Sequence, residues 1–192
     1  MEKSIPLSKE IARYQYESIK TALAVTEFRT KANAAILNGT RQLQEHKMTY
    51  KIKAYRRSVN YYETDKMGIT HNSNYFRWFE EARIHFMSQT AYPYKKVEAL
   101  GIVMPMIASS AEFKHPTYFD DEVIIKSWLS FFNGYKVTLQ FEVINAETNM
   151  LCTTGETKSA ILSAAGKPIQ LQREFPEVYK DWMSVLGVIP EV

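Results

Sequence analysis

The stretch Asp65-Lys-Met-Gly-Ile-Thr-His-Asn-Ser-Asn-Tyr75, running on into Phe76-Arg-Trp-Phe-Glu-Glu-Ala-Arg-Ile-His-Phe-Met87, decides how the chain reads. It opens as an acidic loop with Gly68 three residues after the aspartate. It then turns helical: Tyr75, Trp78, Phe79, Ala82 and Phe86 recur at offsets of three, four, seven and eleven, an apolar stripe of helical period. Arg77, Glu80, Glu81 and Arg83 fall largely off that stripe. Ser73 and the asparagines on either side crowd its start, where unpaired backbone N–H groups need caps. A carboxylate therefore precedes the positive end of a helix apolar enough to be a core element. Acid, free N–H donors and a greasy wall together suit acyl chemistry.

The 192 residues, 45% hydrophobic and 13% aromatic, suffice for one domain with an appendage and argue against general disorder. The net charge of +3 is unevenly placed, because residues 1–47 hold eight Lys/Arg and five Glu whereas residues 48–192 hold sixteen charges of each sign. A neutral body offers no electrostatic footprint for nucleic acid. The single cysteine, Cys152, has no internal partner and fits a reducing compartment. No apolar run approaches the ~20 residues of a membrane span, and the first residues lack a signal-peptide pattern. A cytoplasmic location is expected.

Residues 1–47 read as a helical N-terminal extension: no glycine or proline falls between Leu7 and Leu37, and Asn38-Gly39 is a stop signal. The compact domain is expected over 48–192. Thr49–Asn60 alternates as a first strand, and Tyr94–Leu100 is a short helix stopped by Gly101. Ile102–Phe113, Glu122–Phe132, Tyr135–Asn145 and Met150–Leu162 are rich in Val, Ile, Thr, Phe and Tyr and read as strands. Asn133-Gly134 predicts a type I′ hairpin turn, and Ala146–Asn149 a second turn. Glu174–Leu186 predicts a terminal amphipathic helix. One long helix followed by four antiparallel strands is an α+β layout with the helix packed on one face of a curved sheet.

Tyr62-Glu-Thr-Asp65, Gly68, Tyr75 and Trp78-Phe-Glu-Glu-Ala-Arg83 resemble the signature of hotdog-fold acyl-CoA thioesterases. The branch is the 4-hydroxybenzoyl-CoA thioesterase-like one, which includes the Tol-Pal-associated enzymes. The resemblance runs from about Met48 to Ile169. It implies a curved antiparallel sheet wrapped around the central helix, and a homodimer or homotetramer with active sites at the subunit interface. By position it implies that Asp65 is the catalytic carboxylate and that the backbone N–H of Asn72 is the donor to the thioester carbonyl. Several Tol-Pal-associated members carry histidine where this chain has Asn72; here the histidine stands one place earlier, at His71. A backbone donor is indifferent to that change.

Spacing alone reads Asp65 as a turn or capping aspartate; the resemblance makes it a general base on water or a direct nucleophile. Gly68, His71, Tyr75 and Phe79 are the expected substrate-contacting positions, with Gly68 allowing a sharp bend and close backbone approach. Glu80 and Glu81 are expected to face solvent or pair with Arg77 and Arg83, and Cys152 to be a small core residue. Lys66, Arg77 and Lys114 are candidates to hold the CoA phosphates. No His/Cys/Asp cluster has metal spacing, so neither metal nor cofactor is expected. The expected partner is acyl-CoA or an acyl-carrier protein. The alternative is a non-catalytic acyl-thioester binder on the same fold.

Overall fold

Asn72–Ser88 forms the long helix α1, which buries Tyr75, Trp78, Phe79, Ala82, Phe86 and Met87 on one side. The computed structural model describes residues 50–192; the reading of 1–47 as a helical extension lies outside them. The strands are β1 (Tyr55–Ser58), β2 (Ile102–Val103), β3 (Met106–Phe113), β4 (Glu122–Phe132), β5 (Lys136–Asn145), β6 (Leu151–Ala160) and β7 (Leu162–Ser163). Tyr94–Ala99 is α2, Leu171–Glu174 α3 and Pro176–Ser184 α4. The main sheet is antiparallel with strand order β1-β4-β5-β6-β3, and β2 pairs with β7 in a small ribbon.

α1 lies against the sheet face lined by Val123, Ile125, Leu129, Val137, Leu139, Phe141 and Val143. On β6 the same alternation brings Thr153, Gly155, Thr157 and Ser159 inward, all small, while Glu156 and Lys158 point outward. Phe79 uses that space. A Cβ on Gly155 would sit 2.3 Å from the Phe79 ring, and the ring stacks on Phe141 at 4.6 Å. Beyond the helix, Trp182 and Val185 near the C-terminus close the core against Phe132, whose ring is 5.5 Å from Trp182. The Tyr50 hydroxyl donates to Asp181 Oδ1 at 2.6 Å, and burial together with that carboxylate pushes it up to about 12.

Three expected elements are broken where the chain cannot continue its ladder. The strand over 102–113 splits at Met104-Pro105, because proline has no N–H to give. The first strand shrinks to β1; ahead of it, the Ile52 carbonyl accepts from the Glu191 N–H and the Ala54 N–H donates to the Glu191 carbonyl. The terminal helix is interrupted at Phe175, held at φ −138° and ψ 65° ahead of Pro176, since a residue preceding proline avoids helical dihedrals. The Asn133-Gly134 turn is not type I′ either, for only Gly134 has positive φ. The Asn133 carboxamide instead accepts from the Tyr135 and Lys136 N–H groups. Arg83, expected off the apolar stripe, is only 7% exposed and lies over the Tyr94 ring.

The Phe79–Gly155 contact is directly testable. Gly155→Ala should lower the unfolding free energy by about 1–3 kcal/mol through overpacking, read as a lower denaturant midpoint at unchanged slope. An unchanged midpoint would show that α1 can retreat without cost.

Candidate active site

The loop ahead of α1 is closed by its own backbone. Asp65 donates its N–H to the Ile69 carbonyl and accepts from the Gly68 N–H, both at 2.9 Å. The Asp65 Oδ1 accepts from the Met67 N–H at 2.7 Å, an Asx turn that orients the carboxylate. Among the described residues its second oxygen has no hydrogen-bond partner. Gly68 completes the loop at φ +76°, a left-handed conformation costly for any side chain. Nothing lies within 4 Å of a Cβ built there, so dihedral freedom rather than close approach explains the glycine.

The loop delivers the chain to His71, the N-cap of α1. Its Nδ1 accepts from the Ser73 N–H at 3.3 Å, and its carbonyl accepts from the Asn74 N–H at 3.0 Å. Ahead of these satisfied donors the Asn72 N–H has no acceptor among the described residues. It stands at the positive end of a 17-residue helix, where a developing oxyanion is stabilised by both the donor and the dipole.

Asp65, His71, Asn72 and Tyr75 line one open cleft with Met67, Ile69 and Thr70, and its opposite wall is Phe113, Lys114, His115 and Pro116. Tyr75 is 3% exposed and its ring meets Phe113 at 5.1 Å. Burial pushes its hydroxyl up, and the group bonds to the Thr117 Oγ1 at 3.0 Å. Thr117 also accepts the Thr70 N–H on its carbonyl at 2.8 Å, which ties the wall to the Asp65 loop.

The remaining candidates disperse. Phe79 is buried over Gly155 and stands outside the cleft lining, as does Gly68. Glu80 lies 3.7 Å from Arg83 as expected, but Glu81 pairs with Arg57 at 2.7 Å rather than with Arg77. Lys114 is the only one of the three CoA-phosphate candidates on the cleft wall. Cys152 is buried, which raises its thiol. Sequence reasoning missed Phe113, His115 and Pro116 as cleft residues. Their one signal is position, at the end of a strand that carries no motif of its own.

The chain and its fold have counterparts among known proteins. Residues 59–183 match the thioesterase-like superfamily. The "Putative esterase" of Aquifex aeolicus (strain VF5) is 35% identical over 127 residues, 66% of this chain and 97% of that protein. The "Putative acyl-CoA thioesterase YneP" of Bacillus subtilis (strain 168) is 25% identical over 119 residues, 62% of this chain and 86% of its own. The solved structure of a DHNA-CoA thioesterase from Staphylococcus aureus superposes with a TM-score of 0.65 at 30% identity, covering 69% of this chain and 89% of that one. The chain belongs to the thioesterase-like superfamily, as a thioester hydrolase on the hotdog fold.

The unpartnered Asn72 amide makes a structural prediction. Proline is tolerated at the first helical position, and His71 at φ −64° and ψ 133° is already in the region favoured before proline. Asn72→Pro should therefore keep wild-type stability within about 0.5 kcal/mol in denaturant titration. A larger loss would reveal a partner for that N–H.

Proposed function

We propose that this protein hydrolyses an acyl-CoA thioester to the free acid and CoA, with Asp65 and the Asn72 N–H as its reacting pair. The observation that supports this reading best is the helix-terminal Asn72 N–H, without an acceptor among the described residues, on the same cleft as an Asp65 carboxylate with one oxygen free of partners among them. The carbonyl oxygen of the thioester would accept from Asn72. Asp65 would either remove a proton from attacking water or add to the carbonyl itself, forming a mixed anhydride that water then cleaves. Both routes consume one water and release the thiol. The Lys114 ammonium on the far wall suits a CoA phosphate.

The catalytic unit we propose spans 48–192 and acts as a homodimer in the cytoplasm, a location in keeping with the lone, buried Cys152. β3 is an edge strand of eight residues and is exposed along nearly its whole length, with Met106, Ile107 and Phe113 open. Long exposed edges are ready to pair with another strand. A second copy paired there would close the open side of the cleft beside Phe113.

Thiol release from acetyl-, hexanoyl-, palmitoyl- and benzoyl-CoA, and from an acyl-carrier-protein thioester, tests the chemistry. Asp65→Asn should lose turnover while staying folded, and Asn72→Pro should lose about 100- to 1000-fold in kcat, the usual cost of one oxyanion donor. Wild-type rates in both variants would move the chemistry elsewhere. Tight acyl-CoA binding without turnover in the wild type would favour a binding protein.

Sedimentation should give twice the 22.3 kDa chain mass, with turnover falling as dilution splits the dimer. A fully active monomer would overturn the shared site.

A further inference from the structure

Glu63 is 3% exposed, carries no reacting atom, and collects more hydrogen bonds than any residue near the cleft. Its Oε1 accepts from the Trp78 Nε1 at 2.8 Å and an Arg57 Nη2 at 2.7 Å. Its Oε2 accepts from the same Nη2 at 2.6 Å and from the Asn60 N–H at 2.8 Å. The Glu63 carbonyl accepts from the His71 N–H and from the Asn74 Nδ2, both at 2.8 Å. One residue thus touches β1 through Arg57, the second turn of α1 through Trp78, and the first turn through His71 and Asn74.

The two backbone ends of the Asp65 loop meet here. The chain leaves Glu63, makes the Thr64–Thr70 bridge, and returns at His71, whose N–H closes on the carbonyl it departed from. Asp65 lies two residues beyond this neck on one side and Asn72 one residue beyond it on the other. We infer that Glu63 is the positioning residue of the site, fixing the separation between the Asp65 carboxylate and the Asn72 N–H. The inference rests on the reading of those two groups as the reacting pair. Its physical ground is that a carboxylate saturated by donors from three directions, in a site shielded from water, has one low-energy placement. Its catalytic ground is that reacting groups displaced by about 1 Å can lose about 100-fold in rate.

The variant of choice is Glu63→Gln, which keeps the shape and turns one acceptor into a donor facing Arg57 and Asn60. Asn74→Asp is the second, replacing the amide donor to the Glu63 carbonyl with a carboxyl oxygen of nearly the same shape. Ser127→Ala is the control: its buried hydroxyl donates to the Ala82 carbonyl at 3.0 Å and so ties the middle of the same helix to β4, away from the cleft. Both neck variants should lower kcat by about 10- to 100-fold with KM within about threefold, whereas Ser127→Ala should lose stability and keep kcat. Amide exchange at Asp65, Gly68 and His71 should quicken by about tenfold in the neck variants alone, since those N–H groups report local opening of the loop.

Wild-type kcat in a folded Glu63→Gln and Asn74→Asp, or a kcat loss matched by Ser127→Ala, would overturn the assignment. The exchange readout needs no turnover. If wild-type protein released no thiol from any substrate, the thioesterase reading would fall, while quickened exchange would still support the neck and unchanged exchange would reject it.

Discussion

The structure depends on the seating of Phe79 against Gly155. A helix packs on a sheet at a distance set by the side chains between them, and here β6 contributes Thr153, Gly155, Thr157 and Ser159 where β5 contributes Val137, Leu139, Phe141 and Val143. Over β6 the gap left by these small residues is filled by the Phe79 ring, which occupies the space a Cβ on Gly155 would need. That seating fixes where the N-terminus of α1 emerges relative to the strand ends. The Asn72 amide and the wall at Phe113–Pro116 face one another as a result.

Charge near the site is divided sharply between two acidic residues only two positions apart. Glu63 is buried and wholly consumed by Arg57, Trp78 and Asn60, so it stiffens the loop and offers nothing to a ligand. Asp65 spends one oxygen on the Met67 N–H and keeps the other open to the cleft. The difference follows from where the chain turns: Glu63 faces the core from a short 3-10 turn, Tyr61–Glu63, and Asp65 begins the loop that leaves it. A carboxylate's availability depends on how many donors surround it, and the two acids here stand at opposite ends of that scale.

The sequence was most readable where one period dominates. The helical stripe from Tyr75 to Phe86 marks α1, and the alternation in Glu122–Phe132 and Tyr135–Asn145 marks β4 and β5 almost to the residue. The Asp65, Gly68 and Tyr75 spacing located the loop and the helix start. What stayed hidden depends on contacts across long separations. Phe79 looks like any aromatic on an apolar face until Gly155 lies beneath it. The far wall comes from a strand end with no local signature. Glu63 stands in the Tyr62–Asp65 signature without a role of its own, because nothing in the neighbouring residues reveals Arg57 and Trp78 closing over it. Breaks at Pro105 and Pro176 were visible as prolines but were overridden by the hydrophobic runs around them.

The cleft has an unequal genetic architecture. The groups we propose to react lie within one short run, Asp65 to Asn72, whose neck closes on Glu63, whereas the facing wall is Phe113–Pro116, where the Lys114 and His115 amides share the Cys152 carbonyl. Substitutions in the run act on the proposed chemistry directly. Substitutions in the wall change the surface that faces it, and at Phe113 also the packing on Tyr75. The proposed reacting groups and the surface they face are thus carried by two separate pieces of chain, each open to change without the other.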